Sequence, residues 1–316
     1  MAARHPDTTS TASVAHAMAA VARGEAEVFD GRGVNTSYRV GRLSVKVHHP
    51  ATSSRLVADR IRLVDAALRG APWYPPVLDL GPHGDRRPVL VVVRPFADGH
   101  PSEDTGRQVG ELAGVLGDLR ARAAGVEVAG ALVGDYASPW LAAADQELSG
   151  TATVLADRPD LVRALTARLD GLLACARRLT DADVAVHHGD LHGQNLVFGP
   201  DGCTVIDWDE AGFSRRPADA AKALWLSSRR ARGDFELSPS AVRRFLRLVP
   251  TTEPLDLARL GGLWFLPTPG HVALLDQRDV SRTHVPWYLD WVSRFWSRWD
   301  RNLDVIAEAA ASTARC

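Results

Sequence analysis

The hydrophobic pattern of this chain changes period near Ala97. Before that point, short alternating stretches dominate. Glu27–Asp30 and Thr36–Val40 read as strands around Gly31-Arg32-Gly33-Val34-Asn35, and Leu43–His48 follows the period of two that sends successive side chains to opposite faces of a strand. Val77–Leu80 and Val89–Val93 read as a second hairpin across Gly81-Pro82-His83-Gly84-Asp85, with Pro72, Pro75 and Pro76 marking the loop before it. One helical period interrupts the strands: Leu56, Val57, Ile61, Val64 and Leu68 within Ser53–Leu68, with Ser53 or Ser54 as the cap. Val14–Ala22 holds His16 and has no Leu or Phe, so it reads as a short amphipathic helix and not as a signal peptide; residues 1–12 read as a disordered tail.

After Ala97 the period is helical. Gly106–Arg122, Pro139–Leu148, Pro159–Thr180, Ala218–Arg232, Pro239–Val249, Leu255–Phe265 and Pro286–Ala311 all carry it. One hairpin is embedded among them, with strands Leu196–Phe198 and Thr204–Ile206. The pattern predicts an α+β chain: a five-stranded N-terminal antiparallel sheet with one helix (residues 13–97), then a mainly helical C-terminal lobe (residues 98–316).

Composition narrows the function classes. The chain has 316 residues, 46% of them apolar, enough for two lobes with real cores. A net charge of −1 provides no field that would draw nucleic acid or anionic lipid, so neither is an expected partner. No apolar run reaches the roughly 18 residues of a membrane helix. Cys175, Cys203 and Cys316 are scattered and odd in number, which fits a reducing cytoplasm and no disulfide framework. A monomer or weak dimer is expected. Of 37 basic residues only Lys46 and Lys222 are lysines. In so Arg-biased a chain, a retained Lys marks a place for a compact ammonium that a planar guanidinium cannot replace. Lys46, on an alternating strand, is taken as such a place. Lys222 is taken as ordinary, so that Lys222→Arg would be silent.

The chemistry concentrates in HHGDLHGQNLVFGPDGCTVIDWDEAG, residues 187–212. Asp190, Asn195 and Asp207 stand at the ends of the embedded hairpin's strands and turns. Phosphoryl transfer needs a group that orients an acceptor hydroxyl and oxygen ligands for Mg²⁺. Asp190 can be the first, Asn195 and Asp207 the second. A zinc site built on His188 and His192 lacks a third ligand at suitable spacing. No Gly-Lys dipeptide occurs, so a Walker-type P-loop is absent.

His188-Gly189-Asp190, then Asn195, then Ile206-Asp207-Trp208-Asp209 resembles the catalytic and metal loops of the aminoglycoside phosphotransferase family, the small-molecule branch of the protein-kinase-like bilobal fold. Gly189 stands where protein kinases have Arg, and Trp208 where they have Phe. The resemblance extends over roughly Val28 to Phe295. It implies Asp190 as catalytic base, with His188 in the same loop more a holder than an acid or base. It implies Asn195 and Asp207 as Mg²⁺ ligands, Asp209 as a further acid near metal or substrate, and Asp219 as a brace for the loop. In the N-terminal lobe it implies nucleotide contacts from Gly31, Gly33, Asn35 and Ser37 of the first hairpin, from Lys46, and from the Arg94–Phe96 linker. Asp59 is expected to pair with Lys46 where the family has Glu, with Asp65 the alternative. Trp287 and Trp291, on one helical face with Phe295, are candidates for the acceptor pocket, although such a stripe is more often core.

The function implied is ATP-dependent, or GTP-dependent, O-phosphorylation of a small polar molecule. An antibiotic of nucleoside, sugar-containing, peptide or aminoglycoside type is the expected acceptor. A metabolite kinase of the choline, homoserine or sugar kind is the alternative. A non-catalytic nucleotide-binding pseudokinase is the alternative of another class, and would be expected to lack one of Lys46, Asp190, Asn195 or Asp207. Leu255–Cys316 holds seven acidic and seven basic residues. That balance disfavours a polycationic acceptor.

Overall fold

The computed structural model describes residues 13–30, 35–122, 126–181, 183–231, 233–278 and 284–313. Gly31, Gly33 and the tail of residues 1–12 lie outside them. The chain divides into two compact units: Met1–Gly99 with Phe198–Ile206, and His100–Val197 with Asp207–Cys316.

In the first unit, β1 (Glu27–Asp30), β2 (Thr36–Val40), β3 (Leu43–Val47), β4 (Asp79–His83) and β5 (Val89–Pro95) form one antiparallel sheet in the order β1-β2-β3-β5-β4. Alternation gives it two faces. Val45 pairs with Val93, and with Val91 they pack on Val14 and Ala17 of α1 (Val14–Ala22). Lys46 pairs with Val92 on the opposite face, where Val92 and Leu90 meet Ala58 and Ile61 of α2 (Arg55–Leu68). Ser54 is the α2 cap, accepting from the Val57 N–H at 3.2 Å. Ser53 instead accepts from the Leu90 N–H at 3.0 Å, tying the segment before α2 to the sheet. The strand expected from Val77 starts at Asp79 and runs on through Gly81 and Pro82. The Val77 N–H is taken by the Asp65 carboxylate at 2.7 Å. Pro82 is tolerated because β4 is the edge of the sheet. The embedded hairpin's Val205 N–H donates to the Trp73 carbonyl at 2.8 Å within this unit.

The second unit holds β6 (His100–Pro101), α3 (Thr105–Arg122), α4 (Ser138–Val154), α5 (Pro159–Arg178), β7 (Ala185–His187), β10 (Gly212–Ser214), α6 (Ala218–Ser227), α7 (Pro239–Leu248), α8 (Pro254–Gly262), α9 (Pro269–Arg278), α10 (His284–Ser297) and α11 (Trp299–Thr313). The hairpin strands β8 (Leu196–Gly199) and β9 (Gly202–Val205) fall where the chain passes between units. β7 and β10 pair antiparallel, His187 opposite Gly212. α8 packs closely on α6: a Cβ on Gly261 would sit 2.5 Å from the Ala221 carbonyl oxygen. The Trp225 indole N–H reaches the Ala258 carbonyl at 2.8 Å across the same contact. Trp225 stacks on Trp299 (5.2 Å) and Phe265 on Phe295 (3.6 Å) to make an aromatic core.

Several helical expectations change, α4 among them, which runs on past Leu148 to Val154. Pro286–Ala311 is two helices broken at Arg298. α6 ends at Ser227, short of Arg232. α9, opened by Pro269-Gly270 and weak in periodicity, is additional. Among the described residues no helix is long and apolar enough to cross a membrane.

Candidate active site

The loop after β7 is built around a residue that must be glycine. Gly189 has φ +85°, and a Cβ there would meet the Glu210 Cβ at 2.5 Å and its carbonyl oxygen at 2.6 Å. Neither the conformation nor the space admits a larger side chain. The flanking His188 is fully buried, with its ring 4.4 Å from Trp208, and its Nδ1 accepts from the Asp190 N–H at 3.2 Å. His188 therefore shapes the loop from inside. A 3₁₀ turn over Gly193–Asn195 then brings the chain back. Asn195 donates through Nδ2 to the Asp190 carbonyl at 2.8 Å and stands 3.4 Å from the Asp190 Oδ2. That donation leaves the amide oxygen, an acceptor only, turned away. Asp207 opens the next 3₁₀ turn in the left-handed conformation (φ +65°), alone among the described non-glycine residues. An Asp held there costs about 1–2 kcal/mol, a cost that clusters at functional positions. Asp209 and Glu210 follow within the same turn.

The first turn of α6 holds this loop from beneath. Asp219, nearly fully buried, accepts the His188 N–H at 2.6 Å and the Gly189 N–H at 2.8 Å. Three residues on, and so on the same helical face, Lys222 is 0% exposed. Its Nζ donates to the Gly189 carbonyl at 2.9 Å, lies 2.6 Å from the Asp190 Oδ1 and 3.8 Å from the Glu210 Oε2, and sits 3.5 Å above the Trp264 ring. The His192 Nε2 adds a contact to the Asp190 Oδ1 at 3.6 Å.

These contacts set the charges. Burial pushes the Asp190 carboxyl up, but the Lys222 ammonium and then His192 outweigh it, holding Asp190 well below the usual carboxylate range. Glu210 moves the other way. Desolvation raises it, Lys222 opposes, and the neighbouring Asp190, Asp207 and Asp209 raise it further; water reaching 59% of its side chain tempers the rise. The loop thus offers one firmly ionised carboxylate with a single oxygen tied to Lys222.

In the first unit, Asn35 accepts through its side-chain oxygen from the His49 N–H at 2.9 Å and the Thr52 hydroxyl at 3.3 Å. It fastens the segment after β3. Ser37 is buried in β2 opposite Lys46. Asp59 is turned to its own helix, 2.9 Å from Arg62 and 3.8 Å from Arg55. Asp65 is buried and bonded to Arg69 and the Val77 N–H. Arg94 donates to the Pro75 carbonyl at 2.5 Å and covers the Tyr74 ring. The Phe96 N–H is taken by the Arg42 carbonyl at 2.8 Å, and its ring packs edge-on to Phe29 beneath Arg39.

On α10 the aromatic stripe is graded. Phe295 is fully buried, Trp291 contacts Phe235, Trp264 and Phe265, and Trp287 is 60% exposed. Lys222 corrects the sequence-based expectation: a residue taken as ordinary is the buried counter-ion of the candidate base. Two signals pointed to it, its place three residues after Asp219 and its survival as Lys in an Arg-biased chain. His192 also stands beside Asp190.

Residues 26–255 match the phosphotransferase enzyme family. No curated protein matches. Among solved structures, the choline kinase of Cryptosporidium parvum Iowa II is 11% identical with a TM-score of 0.55, over 89% of this chain and 90% of that one. Spectinomycin phosphotransferase in complex with ADP and spectinomycin is 12% identical with a TM-score of 0.53, over 90% and 93%. An amicoumacin kinase in complex with AMP-PNP, Ca²⁺ and its antibiotic is 13% identical with a TM-score of 0.55, over 87% and 89%. At such identities these structures share the fold. The family match spans most of the chain and includes the loop built around Asp190. The chain belongs to the phosphotransferase enzyme family, kinases of the protein-kinase-like fold that act on small-molecule hydroxyl groups.

Proposed function

We propose that this protein transfers the γ-phosphate of ATP, or of GTP, to a hydroxyl of a small polar antibiotic, with Asp190 as the base. The acceptor oxygen forms a bond to the γ-phosphorus as the bond to the β,γ-bridging oxygen breaks. The nucleoside diphosphate leaves with that electron pair, and the acceptor's proton passes toward Asp190. The observation that carries this reading is the Asp190 carboxylate, kept ionised by a sealed ammonium yet itself 26% exposed. Asn195 and Asp207 would hold Mg²⁺. The Asn195 amide nitrogen is committed to the Asp190 carbonyl, so its oxygen is left as a hard ligand, and Asp207 contributes a carboxylate. The ion, when bound, neutralises charge on the β- and γ-phosphates. Lys46 is assigned to the phosphates by its motif position. Gly31, Gly33, Asn35, Ser37, Arg94 and Phe96 are assigned to the nucleotide on the same ground.

For the acceptor we favour a neutral or modestly charged ring compound over a polycationic aminoglycoside. Asp190 already has a cation of its own, and each unpaired acceptor ammonium would be costly to desolvate. Trp287, exposed at 60%, and Trp291 provide aromatic surface for stacking. A metabolite kinase is the second reading, favoured by the fold shared with a choline kinase.

The test is a screen of purified protein with ATP and GTP against antibiotics and metabolites, reading product mass for one added phosphate. Asp190→Asn should leave nucleotide affinity near wild type and lower transfer by about 10²–10⁴-fold. Retention of more than about a tenth of the rate would remove the base assignment.

A further inference from the structure

We propose that Lys222 is a positioning residue for phosphoryl transfer: from inside the lobe it locks the Asp190 carboxylate through Oδ1, so that Oδ2 is the oxygen presented to the acceptor hydroxyl. The proposal rests on the reading of Asp190 as the base.

A lysine with no exposed surface is costly unless its charge is met and its three donors are used. Here they are met by the Asp190 Oδ1, the Gly189 carbonyl and the face of Trp264. The partners are not interchangeable side-chain ends. Gly189 is held closely: the Glu210 backbone packs where its Cβ would be, and its N–H is taken by Asp219. The ammonium is therefore pinned to backbone on one side and aims at one carboxylate oxygen on the other. Among the described residues, the other contacts of the Asp190 carboxylate are longer: Asn195 reaches Oδ2 at 3.4 Å and His192 reaches Oδ1 at 3.6 Å. Removing Lys222 would free the carboxylate to turn, and a base displaced by even an ångström loses much of its effect. Lys222 has no exposed surface and its ammonium reaches Asp190, so its effect on transfer is exerted through Asp190. Arginine would not substitute. A planar fork cannot fill the same compact site between the Gly189 carbonyl and an indole ring 3.5 Å away.

The experiment uses the full chain and Mg²⁺-ATP with water as the acceptor, read as single-turnover hydrolysis of labelled ATP, so no identified acceptor is needed. Wild type, Lys222→Met, Lys222→Arg, Asp190→Asn and the Lys222→Met/Asp190→Asn pair are compared, with far-UV circular dichroism as the folding control. Lys222→Met should lower the maximal rate by roughly 30–100-fold and leave half-saturation by Mg²⁺-ATP within about threefold of wild type. In the Asp190→Asn background the same change should cost less than about threefold, because its target is already gone. Lys222→Arg should stay at least about tenfold below wild type. Should Lys222→Met not fold, Lys222→Gln takes its place in the same cycle. Penalties that multiply in the pair, a weakened half-saturation that accounts for the loss, or full activity with Arg would each overturn the proposal. A folded wild type that transfers phosphate neither to water nor to any compound of the acceptor screen, under any metal, would remove the reading of Asp190 as base and this proposal with it.

Discussion

Asp219 offers the sharpest test of how the Asp190 loop is held. Its two oxygens take the His188 and Gly189 N–H groups at 2.6 and 2.8 Å, and its side chain is nearly fully buried. Hydrogen bonds to a charged acceptor contribute about 1.5–3 kcal/mol each, and a buried donor left without a partner costs a similar amount. Asp219→Asn keeps the volume but replaces one acceptor by an NH₂ group that faces a backbone N–H at the same distance. One bond becomes a donor–donor clash and the other loses its charge, about 3–4 kcal/mol together. Asp219→Ala removes both acceptors and should cost about 3–5 kcal/mol. The isosteric variant should thus fall within about 1 kcal/mol of the truncation, which would not happen if the site valued only volume. Urea unfolding at pH 7, with unchanged slope against denaturant, measures both. An Asn variant at wild-type stability, or an Ala variant that loses less than about 1 kcal/mol, would refute the argument.

Lys46→Arg should impair Mg²⁺-ATP turnover by about tenfold or more although charge is kept, measured beside nucleotide affinity; a silent variant would remove the phosphate assignment. Asp207→Asn should weaken Mg²⁺-dependent nucleotide binding more than Asn195→Ala, since a carboxylate contributes full charge and an amide only a dipole; a magnesium titration in the reverse order would exchange the two roles. The Asp135 carboxylate is completely buried and accepts from Arg216 at 2.9 Å; burial raises it, and the Arg216 and Ser214 bonds outweigh that to leave it lowered. A lowered carboxyl contributes stability above its unfolded value near 3.9 and loses it as pH falls through the folded value. Asp135→Asn should therefore cost about 3–5 kcal/mol at pH 7, and the gap should narrow below about pH 4; thermal melts showing a constant gap would refute it.

The strands and most helices were legible because each carries its own period. Val45 and Lys46 alternate, and the sheet gives one to α1 and the other to α2. Asp190, Asn195 and the Asp207 turn stood out as candidates because their spacing along the chain matches a motif. What was not legible depends on contacts between distant segments. Nothing local tells that Lys222 rises from α6 to a carboxylate 32 residues earlier, or that His192 turns back on Asp190. Asp59 shows the opposite hazard. Its place on α2 suggested a partner on the sheet, but Arg55 and Arg62 stand at helical spacing on either side and hold it on its own helix. The break at Arg298 was hidden because the apolar period of α10 resumes in α11 almost without a phase change.

One helical turn therefore carries two different tasks for the same three loop residues. Asp219 satisfies backbone N–H groups, and Lys222 satisfies a backbone carbonyl and a side-chain carboxylate. Opposite charges three residues apart on a helix support each other weakly when exposed. Buried under a loop, each instead meets the polar atoms the loop cannot pair by itself. An ionised carboxylate that faces solvent on one side cannot be stabilised by water on its inner side, and here the inner side holds a cation. The ammonium needs the Gly189 carbonyl in return, and that carbonyl is presented only because Gly189 adopts a positive φ. The glycine of the motif, the acid of α6 and the lysine three residues beyond it are thus parts of one arrangement. Changing any one of them leaves a buried donor, acceptor or charge without its partner.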